Sequence, residues 1–342
     1  MSGFRPGAVA DRAPAVAQEW PNQTVEVGVA RRLKIQQGNF DSEFRPAGPG
    51  KSAELVIRLR VRLLARDPRI AGAGQLVMNE HLAPTDDKRE HGRVRDAHDM
   101  LFHARSWRTH EFAAFSAKFK RMVELIWNNQ LVLLPPSVAE SGDTMSDADY
   151  LEFISRRGLA AHVRCGMEIE PVPSGGAATP HVLMEVVQLH TRQGETQPPV
   201  PFRAMATRIT QEDVEFTRPP GQSFHHVTAA HEVGHWLGRD VPITDNDRFL
   251  HHIDWQKCSA YPHYVPGSDC EYGRTLSRRM ALMGSGSLMT DYEAGPWLLR
   301  ARRHTGVLFG WKVMHRIHFN NFQAPISDRQ KRVVAANPSV PP

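Results

Sequence analysis

The chain has 342 residues, of which 41% are hydrophobic and 23% charged. That is the composition of an ordinary globular protein with material for a large core in one or two domains, and it excludes collagen-like, coiled-coil and wholly disordered classes. The formal charge is +5, but the lysines and arginines are dispersed, and the longest basic clusters are as short as Arg300-Ala301-Arg302-Arg303. A nucleic-acid binder concentrates such charge beside a recognisable motif, so no nucleic-acid partner is expected.

Met1 to Gln18 carries arginines without the apolar core of about 7 to 15 residues that marks a secretory signal. No run reaches the ~18 apolar residues of a membrane span. The expectation is no membrane partner, and a protein that is cytoplasmic or exported by a signal-independent route. Cys165, Cys258 and Cys270 are too few for a disulfide framework, and their odd number leaves a thiol over. Cys258 and Cys270 are close enough in sequence to close a local loop or to remain two thiols. Cys165 falls in a strand-like run and reads as a small buried hydrophobe.

In chain order, residues 1–50 are rich in Pro, Gly and Ala and read as an irregular N-terminal extension. Between Leu55 and Leu64, Ile57, Leu59, Val61 and Leu63 alternate with Arg58, Arg60 and Arg62, the period of a strand with one buried face. The arginine row reads as a solvated sheet face in preference to a phosphate-binding stripe. Residues 67–106 are polar and read as helix and loop. From Thr109, the residues Phe112, Phe115, Phe119, Met122 and Ile126 form a helical stripe of core residues, stopped at Asn128-Asn129.

Leu131 to Leu134 predicts a short buried strand, and Ser146 to Arg157 a helix closed by Gly158. Val163 to Ile169 and Val182 to Leu189 predict a hairpin about the loop Pro171 to Pro180. Phe202 to Ile209 is a third strand, either internal or an edge able to pair with an extended substrate. Met280 to Met289 is a Gly/Ser turn framed by methionines. Pro296 to His304 predicts a helix begun by its proline and ended near Gly306. Residues 326–342 read as a loose tail.

The densest chemical signal lies at His231-Glu232-Val233-Gly234-His235. Residues four apart project from one helix face, so His231 and His235 can offer two imidazoles to one metal with Glu232 beside them. From Val227 to Gly238 nearly every other residue is apolar or small. Such a helix is buried, and buried ionisable groups require a metal or a dense hydrogen-bond network. Core histidines satisfied by carbonyls are the alternative.

His231 to Gly238 resembles the opening of the extended metzincin signature, His-Glu-x-x-His-x-x-Gly-x-x-His, and Ala281-Leu282-Met283-Gly284 resembles that family's methionine turn. The motif, together with Glu271-Tyr272-Gly273 and Pro296-Trp297, is also similar to zinc-peptidase-like proteins of bacterial toxin and injection-system contexts. The resemblance implies an α+β, zincin-like fold: a mixed β-sheet and active-site helix in a subdomain over 51–238, then a C-terminal subdomain with the methionine turn over 239–325. It further implies Zn2+, a protein or peptide substrate, and hydrolysis by zinc-bound water with Glu232 as general base. The alternative is a catalytically inactive zincin-fold binding or structural module.

The signature's third ligand falls on Val241, which cannot bind zinc. His252 is the preferred substitute, because neutral imidazole is the commonest partner of zinc beside two histidines. Asp240, His251 and Asp269 stay open, Asp269 because Asp269-Cys270-Glu271-Tyr272-Gly273 resembles part of the aspzincin motif. A glutamate ligand would call on Glu271 or Glu293. Tyr272 is either an oxyanion stabiliser or a structural tyrosine.

Overall fold

The computed structural model describes residues 24–29, 33–38, 40–47, 52–66, 68, 91–136, 146–157, 159, 162–173, 177–191, 193–194, 196–219, 221–237, 252–261 and 270–316. They form a mixed α+β fold around a nine-stranded, mostly open mixed sheet. Its central strand is β4 (Ala53–Ala65), which buries Leu55, Ile57, Leu59 and Val61 as the alternation predicts. Between them, the arginines meet acids: Arg58 Nε lies 3.3 Å from Glu168 Oε2, and Arg60 Nη1 lies 2.7 Å from Asp41 Oδ2. The row is an ion-paired sheet face.

The predicted irregular extension instead holds strands. β1 (Thr24–Val29) and β2 (Leu33–Gly38) pair antiparallel, and β3 (Asp41–Arg45) pairs antiparallel with residues 54–58 of β4, burying Phe40 and Phe44. Thr-Val-Glu-Val-Gly-Val and Leu-Lys-Ile do alternate with period two; the surrounding Pro and Gly mask the pattern. A second correction falls in residues 67–106, read as helix and loop. There β5 (His91–Arg95) and β6 (Leu101–Arg105) form a hairpin. Asp96 Oδ1 accepts from the backbone N–H of His98 and of Met100, both at 2.9 Å, and Asp99 takes the left-handed region with φ 64°. An aspartate that bonds its own following backbone is a turn signal, and it is easily lost among so many charges.

The third correction is topological. β8 (Val163–Pro171) and β9 (Val182–Leu189) are not a hairpin; both run parallel to β4 on its opposite edges. β8 ends level with Val61 and β9 begins level with it, so the chain crosses over β4. The crossing is fixed where Val172 N donates to Val61 O and His181 N to Arg60 O. β7 (Leu131–Leu134) pairs antiparallel with β8. The strand predicted over Phe202 to Ile209 shortens to β10 (Arg208–Thr210), parallel to β9.

α1 (Thr109–Trp127) packs on the sheet through Phe115, Phe119, Met122, Val123, Ile126 and Trp127, and ends where Asn129 turns left-handed. α2 (Asp147–Arg156) follows a cap in which Asp149 N donates to Ser146 Oγ at 3.1 Å. α3 (Thr228–Leu237) carries the histidine motif. After it come the short α4 (Trp255–Ser259) and α5 (Leu276–Met280), then α6 (Gly295–Thr305), which has its proline in the first turn and Gly306 as a left-handed cap. β11 (Lys312–His315) returns to the sheet beside β7. One hydrophobic core therefore draws on both sides of the boundary predicted at Gly238. Trp297 Nε1 donates to Gly166 O at 2.9 Å, and its ring lies 5.9 Å from that of Trp127. Among the described residues no helix is long and apolar enough to cross a membrane.

Two buried histidines away from α3 set an acid limit. Burial, with Arg164 nearby, pushes His162 down to about 4, and burial with Arg300 does the same to His304. Unfolded histidine titrates near 6.5, so between pH 6.5 and 4 the unfolded chain binds more protons than the folded one. The contribution of these two histidines to stability is complete above this window and is lost as pH falls through it. Thermal melts of the wild type against His162→Gln across this window isolate the His162 share, which should be about 3 kcal/mol.

Candidate metal centre

α3 is placed by what precedes and underlies it. Ala229 N donates to Asp213 O at 2.9 Å, while the carboxylate of Asp213 accepts from Thr210 N and Thr210 Oγ1 at 2.6 and 2.9 Å. The last turn is tied by Trp236 Nε1, which donates to Ala206 O at 2.5 Å. The helix thus starts and ends against the segment containing β10. Ala229, Ala230, Val233 and Leu237 are buried in the core, which makes α3 a rigid platform.

On it, His231 and His235 have ring centroids 5.0 Å apart, and His252 completes a near-equilateral triangle at 5.2 Å from each. One nitrogen of each ring lies within 4.8 Å of one nitrogen of the others, a group able to hold a metal ion. His231 Nδ1 donates to Leu282 O at 2.7 Å, and His252 Nδ1 donates to Glu271 Oε2 at 2.5 Å. With Nδ1 engaged, Nε2 is left with its lone pair for a cation. Burial above all, and then His235, His252 and His226, holds the His231 imidazole well below the ordinary range. It is therefore neutral, as a metal ligand must be. Three imidazoles, each offering one nitrogen, are a donor set that suits zinc.

Glu232 sits beside His231 at 7% exposure, and burial with the neighbouring Asp213 pushes its carboxyl up to about 8. Burial likewise raises Asp213 to about 6. The Asp213 carboxylate opposes ionisation of Glu232.

Beneath α3 lies the turn Ala281-Leu282-Met283-Gly284. A Cβ on Gly234 would run into Met283 Sδ, with Trp127 Cζ2 at 3.2 Å. Met283 is held at both backbone ends, its N–H donating to Glu293 Oε1 at 3.0 Å and its carbonyl accepting from Ile253 N at 2.9 Å. The turn therefore supports His231 through Leu282 and fixes the residue next to His252 through Met283.

Of the predicted ligands, His231, His235 and His252 come together. Asp240, His251, Asp269 and Val241 lie outside the described residues. The carboxylates of the glutamate alternatives make other contacts. Glu271 orients His252, and buried Glu293 accepts from Met283 N, Thr290 N and Thr290 Oγ1. Cys258 and Cys270 form a disulfide, and Cys165 is a buried free thiol. The Tyr272 ring lies 4.0 Å from that of His252.

One residue at the site, His226, has no reading in the sequence, and one role, that of Glu271 behind His252, has none either. His226 lies 5.4 Å from His231 ring to ring and donates from Nδ1 to Gly286 O at 2.8 Å. It precedes the helix and stands five positions before His231, off the four-residue spacing. Glu271 as a partner of His252 is marked only by its place after Cys270. The chain matches no family model, no curated protein and no solved structure.

Proposed function

We propose that this protein is a zinc-dependent hydrolase of peptide bonds in protein or peptide substrates, with His231, His235 and His252 holding the ion and Glu232 as general base. The observation that carries the reading is the three-histidine cluster with a buried carboxyl next in sequence to one of its members. A purely structural zinc needs no such carboxyl, and burying one is costly. Zinc bound there would supply Lewis acidity, polarising a carbonyl and bringing the pKa of water to about 7.

The remaining work falls to the chain. Glu232 takes a proton from water and returns it to the departing amine nitrogen, which a carboxyl with raised proton affinity is suited to do. Leu282 O and Glu271 keep the ligand rings in one tautomer and orientation.

The test is a cleavage assay on an unfolded protein, with metal analysis of the same preparation. Chelation should abolish cleavage, and about one equivalent of zinc should restore it. A fully zinc-loaded protein that cleaves neither unfolded proteins nor peptides would leave only the inactive zincin-fold module.

A further inference from the structure

His252 is the one member of the cluster that α3 does not carry. It opens residues 252–261, a stretch whose only helix is the five-residue α4, too short to be stable alone. Besides the hydrogen bond that Arg274 Nη1 donates to Tyr261 Oη at 2.7 Å, this stretch is fastened to residues 270–275 at four points near the ligand. His252 Nδ1 donates to Glu271 Oε2 at 2.5 Å, Asp254 N donates to Glu271 O at 2.9 Å, and Arg274 N donates to Asp254 Oδ2 at 2.7 Å. The fourth fastening is the disulfide between Cys258 and Cys270. Cys270 directly precedes Glu271, so the covalent bond ends one residue from the carboxylate that orients the ligand.

Resting on the zinc reading above, we propose that this disulfide is a redox latch on the third metal ligand, acting through Glu271 as a positioning residue. Oxidised, the bridge keeps the Glu271 carboxylate against His252 Nδ1, and the imidazole is presented to the ion already oriented. A thiol reductant opens it by two exchange steps: two electrons and two protons pass to Cys258 and Cys270, which become thiols, and the reductant leaves as its own disulfide. The two stretches then lose their loop constraint, and Glu271 and His252 separate more readily. The metal is held tightly in an oxidising compartment and loosely in a thiol-rich one. Cys165, buried in the core, takes no part.

The experiment measures zinc affinity by competition with a chromogenic chelator, on oxidised protein and on protein reduced with a phosphine. Reduction should weaken binding about 10- to 100-fold, the range for losing a carboxylate behind a metal-bound histidine. Cys258→Ser/Cys270→Ser should match the reduced protein without offering thiols to the ion, and Glu271→Gln should match it while still oxidised. A merely structural role is separated by His252→Ala, in which reduction should change the remaining affinity less than twofold, because the ligand acted upon is gone. Equal affinity of oxidised and reduced wild type overturns the latch while leaving the zinc site standing, as does an undiminished effect of reduction in His252→Ala. Oxidised wild type that binds no zinc overturns the metal reading as well.

Discussion

Glu232→Gln is expected to lower peptide hydrolysis by about 10²- to 10⁴-fold, the range that a positioned acid–base group contributes, while zinc content and fold are unchanged. Glutamine keeps the shape of the side chain but cannot take a proton from water or return one to nitrogen. The site should accept the amide readily. Glutamine matches the buried carboxyl in volume and brings no charge, so the replacement places no new demand on the apolar face of α3. The measurement is kcat and zinc stoichiometry on the same preparation. Activity within tenfold of wild type would assign the base elsewhere, and loss of zinc along with activity would make Glu232 a ligand instead.

The parts legible in the sequence are those whose signal is local and long. The stripe from Phe112 to Ile126 runs for several turns, and the helix ends at the left-handed Asn129. Pro296 and Gly306 bracket α6, and the arginine alternation places β4 to within two residues at either end. Short strands are not legible in this way: β5 and β6 show few inward residues, and Asp96, which shapes their turn, resembles any other charge in a polar stretch. Strand direction is not local at all. Two strands and a proline-rich loop make the same string whether they form a hairpin or, like β8 and β9, flank a third strand. β10 is shorter than its hydrophobic run because Met205 and Arg208 bond each other across a tight turn, at 2.9 and 2.8 Å, before the strand begins.

The site divides along the same line. His231 and His235 follow from helical spacing, whereas His252 is one of many potential ligands in a stretch without periodicity. What selects it is non-local: Ile253 N bonding to Met283 O, and Glu271 arriving behind its ring. The methionine turn is legible as a string, but its physical task is visible only where Met283 meets both α3 and the His252 segment.

That task makes Gly234 the position where a small change has the largest expected structural effect. Glycine inside a helix costs about 1 kcal/mol against alanine, so its presence in α3 requires a compensating reason. The reason is the closeness of Met283 Sδ, with Met283 Cε at 3.3 Å and Trp127 Cζ2 at 3.2 Å from where a Cβ would stand. Neither neighbour can retreat easily. Met283 is fully buried and tethered by Glu293 and Ile253. Trp127 is fully buried, donates to Ala230 O at 2.9 Å and lies against Trp297. For Gly234→Ala the helix-propensity gain offsets part of an overpacking cost of about 1–3 kcal/mol, giving a loss of about 1 kcal/mol. Gly234→Val adds branching and volume, and should lose about 3–4 kcal/mol in denaturant unfolding. Because Met283 O holds Ile253, displacing the sulfur also moves His252, and zinc affinity should fall together with stability. Met283→Ala in the Gly234→Val background supplies the test, since it empties the space the new side chain needs. The pair should be at least 1 kcal/mol more stable than the sum of the single changes predicts. Strict additivity would mean that Gly234 is not there for the methionine.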